Sequence, residues 1–276
     1  MAPLSQRLRA LADPARVPIL QSFFKTGKGE YAEGDRFIGI RVPQLRQLCR
    51  DCRGTSIRDA APLLRSDIHE ERLFALLLLV DAFRREDETG QRAIYDFYLA
   101  NTRFINNWDL VDSSAEHIVG GWLQDRPRAT LTNLARSAWL WERRIAIVAT
   151  LHFIRAGDLN DTFRIADMLM DDPQDLIHKA TGWMLREAGK RDNAALRRFL
   201  ATRHKKMPRT MLRYAIERFP DEERQRYVGK RTARGRYNGS AAQARKLAST
   251  RGKSAGRSTK SSVPRKSASL KRKPKP

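Results

Sequence analysis

Four segments of this chain, Arg72–Leu76, Trp108–Asp112, Arg144–Val148 and Lys179–Trp183, begin 36, 36 and 35 residues apart. A recurrence of that length belongs to stacked helix pairs, because one pair cannot bury its apolar face alone and is completed by the next. The apolar residues inside and between these segments recur at three and four, and alternating β-branched runs are almost absent, so the chain reads as all-α. Helices are expected near 4–12, 15–25, 43–52, 57–65, 69–84, 89–100, 107–123, 127–137, 139–156, 159–170, 174–189, 193–202, 207–218 and 221–227. Prolines 43, 62, 127, 173 and 208 fall near helix entries, where a missing N–H costs nothing. Pairs of this kind stack into a curved solenoid whose second helices line the concave face. Asp112, Val148 and Trp183 are then equivalent positions that converge there, with Trp108 and Arg144 one turn earlier on their helices.

Charge divides the chain. The last 48 residues, Gly229 to Pro276, hold 16 Lys or Arg and no Asp or Glu among many Ser, Ala, Gly and Pro. That composition cannot bury a core and reads as a disordered tail, 229–276, behind one domain of residues 1–228. The domain keeps 38 basic against 31 acidic residues, about +7 of the total +23. A surplus of this sign points to a polyanion, nucleic acid before membrane, since the most apolar run, Leu73 to Val80, is too short to span a bilayer. Arg7, Arg9 and Asp13 interrupt the N-terminus, which lacks the apolar core of a secretory signal, so a cytoplasmic, nucleoid-associated location is expected. Cys49 and Cys52 form a lone C-x-x-C with no second ligand pair at zinc spacing, and read as reduced cysteines on a helix surface or in the core. No metal or organic cofactor is implied, and there is no sign of an oligomer interface, so a monomer is expected.

Chemistry concentrates in Phe104 to Asp112, which sets two acids and a tryptophan inside an apolar helical pattern. At 3.6 residues per turn Trp108, Asp112, Ala115 and Val119 share a face, placing the Asp112 carboxylate one turn above an indole. Trp141–Ile147 and His178–Glu187 have the same grammar. The segment Lys25 to Pro43, with Gly27, Gly29, Gly34 and Gly39, has no helical period. It matches neither a P-loop nor a dinucleotide fingerprint, and reads as a structural loop ahead of a phosphate cradle.

The Gly-rich Lys25–Pro43 segment, Asn107–Asp112, Trp141–Ile147 with Arg144, and Lys179–Glu187, met in this order, resemble the DNA alkylation repair proteins of the AlkD type. The resemblance covers roughly residues 5–225. It implies a HEAT-like helical-repeat solenoid with a concave basic face, and a glycosylase that releases N3- or N7-alkylated purines such as 7-methylguanine and 3-methyladenine. In that family the residues matching Trp108, Asp112 and Trp183 form the active cleft, the arginine matching Arg144 contacts DNA, and the lesion is engaged from the backbone side.

The chemistry is consistent with this. Cleaving an N-glycosidic bond passes through an oxocarbenium-like sugar. A 7-alkylated guanine already carries positive charge, so it leaves without a general acid, and one carboxylate, Asp112, stabilises the sugar and holds a water. The indoles of Trp108 and Trp183 offer negative π faces to the cationic nucleotide. Arg144, Arg143, Lys179 and Arg186 are the candidate phosphate contacts. No lysine stands beside Asp112, so strand cleavage is not expected. Each residue also has a plainer reading: Asp112 pairs with Arg144 or caps a helix, the tryptophans are core, the basic residues are solvated, and Glu116 is a surface charge. The competing whole-protein reading is a non-catalytic helical-repeat protein that binds damaged or branched nucleic acid. The expected partner is duplex DNA with alkylated bases, and the tail adds sequence-independent contacts to phosphates.

Overall fold

The computed structural model describes residues 3–229 of the chain; the basic tail expected from Gly229 onward lies, beyond that glycine, outside the described residues. Among them every regular element is helical, apart from one isolated bridge between Arg36 and Ile68. The N-terminal part comprises α1 (Leu4–Arg9), α2 (Val17–Phe24), α3 (Val42–Asp51) and α4 (Ile57–Leu64). There follow α5 (His69–Phe83), α6 (Glu88–Ala100), α7 (Trp108–Asp112) and, after a three-residue break, a π-helical turn, Glu116–Gly120. The rest is α8 (Ala129–Ala135), α9 (Leu140–Ala156), α10 (Asn160–Met168), α11 (Asp175–Arg191), α12 (Asn193–Arg203), α13 (Arg209–Ala215) and α14 (Asp221–Val228).

Short polar caps start several of these helices: Ser56, Asp87 and Asp192 each accept a hydrogen bond from a backbone N–H in the first turn of α4, α6 and α12. Each cap of this kind contributes about 1 kcal/mol. Pro62 departs from the expected entry role and lies inside α4, in its second half.

The helices pack in pairs, α4 with α5, α8 with α9, α10 with α11, and α12 with its neighbour α11, while α5, α7, α9, α11 and α13 touch one another in succession as an inner layer. The four period-related segments each lie on one of these inner helices. Inner position explains the composition of α5 and α9. Nearly every residue of α5 is buried, and most of α9 is, because each has neighbours before, after and behind it. The run Leu73–Val80 is therefore almost wholly buried within the stack. Each such side chain removed from water contributes roughly 1.5–3 kcal/mol.

One element departs from expectation. The continuous helix foreseen over 107–123 is interrupted after Asp112, where the Ser114 hydroxyl donates to the Leu110 carbonyl at 2.6 Å and meets the Tyr98 hydroxyl at 3.0 Å. Side-chain bonds to the preceding turn compete with the helical ladder, and here they accompany the passage into the π turn. The turn ends against α9: a Cβ on Gly120 would lie 2.5 Å from the Ala149 carbonyl.

Candidate active site

Asp112 closes α7 and faces the first turns of α9. Arg144 meets it with two parallel hydrogen bonds, Nε to Oδ1 at 2.9 Å and Nη2 to Oδ2 at 2.8 Å, and its Nη1 donates to the Leu176 carbonyl at 2.7 Å in α11. One guanidinium thus ties three consecutive inner helices together. Arg144 is buried, while the Asp112 side chain keeps 19 % of its surface. That exposure matters, since each carboxylate oxygen holds a second lone pair and can still accept from a water or a ligand. Burial pushes the Asp112 carboxyl above its ordinary range, the guanidinium of Arg144 pulls it back, and the nearby Asp109 adds to the rise.

Asp112 opens on a cleft of about 590 Å³ that it shares with Trp108, Asp109, Ser113 and His69. Much of the remaining lining is apolar: Leu20, Phe23, Phe24 and Phe37 with Val42 and Pro43. Trp108 is held from two sides: its indole N–H donates to the Tyr31 hydroxyl at 3.2 Å, and its ring stacks on Phe24 with centroids 5.3 Å apart. Tyr31 and Phe37 come from the Gly-rich segment, which therefore builds part of the cleft.

That segment is anchored by a motif of which the period marked only the last residue, His69-Glu70-Glu71-Arg72 at the start of α5. All four are nearly inaccessible. Glu70 accepts the backbone N–H groups of Ile38, Gly39 and Ile40 at 2.8–3.2 Å, so the amides that a phosphate cradle would offer are occupied by the protein's own carboxylate. Gly39 sits at φ 89°, where a Cβ would overlap the Asp13 carbonyl; only glycine lets the chain pass. Glu71 accepts from Arg9 of α1 at 2.6 Å, and Arg72 donates to Asp35 at 2.6 Å.

His69 links this network to the cleft. Its Nδ1 lies 3.1 Å from Asp35 and its Nε2 2.8 Å from Asp109, and the ring is packed by Phe37 at 4.6 Å and Phe24 at 4.8 Å. Burial alone would lower the imidazole pKa, but the charge and hydrogen bonds of Asp109 and then Asp35 outweigh it and raise it to about 9. His69 is thus an imidazolium between two carboxylates at neutral pH. Burial would also raise the Asp35 carboxyl, yet His69, Arg72 and Asn107 together hold it below its usual value. A signal was present in the sequence: four consecutive polar residues opening the most apolar helix point to every side of it, so some must be buried.

The other expected site residues are distributed differently. Trp183 does not line the Asp112 cleft; it lies seven residues, about two turns or 10 Å, beyond Leu176 along α11. There it borders a hollow of about 330 Å³ with Leu151, Ile154, Arg155 and Lys190, its N–H donating to Glu187 at 3.2 Å. Arg143 is engaged within the protein, by Asp172 at 2.5 Å and by the Ser137 and Ala138 carbonyls, both at 2.9 Å. Lys179 pairs with Asp175 at 2.8 Å, and Arg186 with Glu217 and Glu187. Glu116, expected as a surface charge, is instead buried and paired with Arg155 at 2.6 Å, because the π turn rotates it toward α9. Cys49 and Cys52 are buried free thiols, and burial pushes Cys49 up to about 11. No group of three or more His, Cys, Asp or Glu among the described residues could hold a metal ion, and no described helix is long and apolar enough to cross a membrane.

Comparison with known proteins gives three results. No curated protein sequence matches the chain. Among solved structures, a predicted DNA alkylation repair enzyme from Enterococcus faecalis is similar at a TM-score of 0.58 and 16 % identity, over 76 % of this chain and 97 % of that one. AlkD2 from Streptococcus mutans superposes with a TM-score of 0.48, again at 16 % identity, over 74 % of this chain and 97 % of that one. At such identities the first likeness is one of fold, a helical repeat. The family model for DNA alkylation repair enzymes matches residues 4–219. Since that match spans most of the chain and all of the inner helices described above, the protein belongs to the DNA alkylation repair enzyme family.

Proposed function

We propose that the chain is a monofunctional DNA glycosylase that hydrolyses the N-glycosidic bond of N3- and N7-alkylated purines and leaves an abasic site. The observation that carries this reading is Asp112, a carboxylate that is mostly buried, held in fixed orientation by Arg144, and still open to a cleft walled by Trp108. A carboxylate preorganised in a partly desolvated site stabilises positive charge developing on a sugar far better than water does. Alkylation at N3 or N7 makes the base a cation, and departure leaves it neutral, so the bond breaks without a proton donor. The remaining lone pairs of Asp112 orient a water for attack at the anomeric carbon. Trp108, its N–H engaged by Tyr31, contacts the cationic nucleotide through its ring. Duplex DNA approaches over a basic concave face formed by the inner helices, and the basic tail adds phosphate contacts that do not select a lesion.

A second reading has its own support. Arg144 uses Asp112 to staple α7, α9 and α11, which is reason enough for a buried acid in a non-catalytic DNA-binding repeat protein. Release of free 7-methylguanine from methylated duplex, measured in chelator for the wild type and for Asp112→Asn with binding followed in parallel, separates the two. Release by the wild type that falls about 100-fold or more in the variant while binding persists is expected for loss of one transition-state partner. Tight binding with no release by either protein sinks the glycosylase reading and leaves the non-catalytic one.

A further inference from the structure

Outside the immediate surroundings of Asp112, cations converge where acids are few. Arg84, directly after α5, brings Nη2 to 3.4 Å from Nε2 of His117 in the π turn. His117 also lies in the field of Arg155 and His152 from α9 and of Arg46 from α3. Two carboxylates face this group. Glu116 is buried, taken by Arg155 at 2.6 Å and also within the field of Arg84, and Asp125 acts on His152. Among the described residues neither Arg46 nor Arg84 forms an ion pair with a carboxylate. Four separate elements thus deliver three guanidiniums and two imidazoles to one patch. Burial, then Arg84 and Arg155, push the His117 imidazole down to about 4, and burial with Arg155 and Arg128 lowers His152, so both rings are neutral at pH 7.

Three guanidiniums facing two carboxylates leave a surplus of positive charge, and an anion that neutralises it binds the more strongly for it. The patch is open, since Arg46, Arg84 and Arg155 are all exposed. Its position gives the anion a context. Arg46 also lines the Asp112 cleft, as does Ser113, one helical turn before His117. The patch therefore begins at the rim of the candidate active site. The expected basic contacts Arg143, Lys179 and Arg186, by contrast, are each engaged by carboxylates of the protein.

We infer that Arg84, His117 and Arg46 form a phosphate site that holds the DNA backbone beside the nucleotide presented to Asp112. The inference rests on the DNA reading proposed above. An incoming phosphate oxygen accepts from Arg84 in place of His117, and its charge raises the imidazole, so that His117 takes up a proton and becomes a second donor at a higher pH than in the free protein.

The test uses the full chain and an undamaged duplex, so that it does not depend on base release. Binding is followed by anisotropy from about 50 to 200 mM salt for the wild type, Arg84→Gln/His117→Gln and Arg46→Gln. Loss of one phosphate contact lowers the magnitude of the log affinity against log salt slope by about 0.9, with a loss in affinity of about tenfold at fixed salt. Arg46→Gln, a change on the exposed side of α3, carries the test alone if the double variant melts early. The His117 imidazole resonance is titrated with and without duplex, and its midpoint is expected to rise from about 4 by at least one unit. Unchanged slopes and affinities in the folded variants, or an unmoved His117 midpoint, overturn the site. A wild type that shows the expected dependence yet never releases 7-methylguanine supports the site and overturns only the glycosylase reading; a wild type that binds no duplex overturns both.

Discussion

Asp112 and Arg144 depend on each other in a way that pH makes visible. Burial raises the Asp112 carboxyl and Arg144 opposes that rise, so removing the guanidinium raises it further. In the proposed reaction base release needs the carboxylate, and the acid limb of the rate profile should therefore move to higher pH in Arg144→Ala; a limb that stays in place separates Arg144 from the ionisation of Asp112. Stability follows the same sign. A carboxyl whose pKa is raised on folding favours the fold at low pH and loses that contribution as pH rises through the folded value, so the melting deficit of Arg144→Ala should widen from acid to neutral pH. His69 behaves as a raised base. Its contribution is fully present below about 6.5 and is lost as pH rises through about 9, on the order of 3 kcal/mol at most. Denaturant melts of the wild type should weaken across that window, and those of His69→Gln should not; equal slopes in the two proteins place the titration elsewhere.

The helices themselves are held by short, specific devices. Glu70 fastens the segment before α3 to α5 through three backbone amides, and Glu70→Ala leaves those amides unsatisfied at a cost of about 2–4 kcal/mol. Hydrogen exchange at Ile38, Gly39 and Ile40 should accelerate well beyond that at the centre of α5, whereas uniform acceleration identifies only global weakening. Gly182 of α11 is a close-approach point, where a Cβ would lie 2.5 Å from the Tyr214 Cβ. Gly182→Val is expected to cost about 1–3 kcal/mol by overpacking α11 against α13, read as a lowered melting temperature. The interruption between α7 and the π turn is the element that sequence periodicity misread. Apolar spacing continues through Ala115, Ile118 and Val119, but Ser114 binds the preceding turn, and periodicity is blind to a hydroxyl's choice of partner.

At the scale of the molecule, the proposed DNA binding divides into separable contributions from the basic tail and the helical stack. Deleting residues 230–276 removes 16 positive charges; if about six of them engage duplex, the salt slope falls by roughly 5 units. Methylpurine release at saturating DNA should persist in the truncated chain; its loss would mean that the tail takes part in more than tethering. The stack was legible in the sequence because its cause is local and repeated: the three-and-four apolar pattern marks each helix, and the 36-residue recurrence marks each inner one. Asp112, Trp108 and Arg144 were legible for a related reason, since they lie on consecutive inner helices that meet, whereas Trp183, at the period position of Asp112, borders a separate hollow. What the tertiary structure alone decided is which charges are free. Arg143, Lys179 and Arg186 look like phosphate contacts in the sequence and turn out to pair with carboxylates, while Arg84, Arg46 and His117, from three unrelated segments, meet with neither arginine in an ion pair. Helical periodicity is a property of neighbours along the chain, but the pairing of charges is set by distances between helices, and those exist only once the stack has closed.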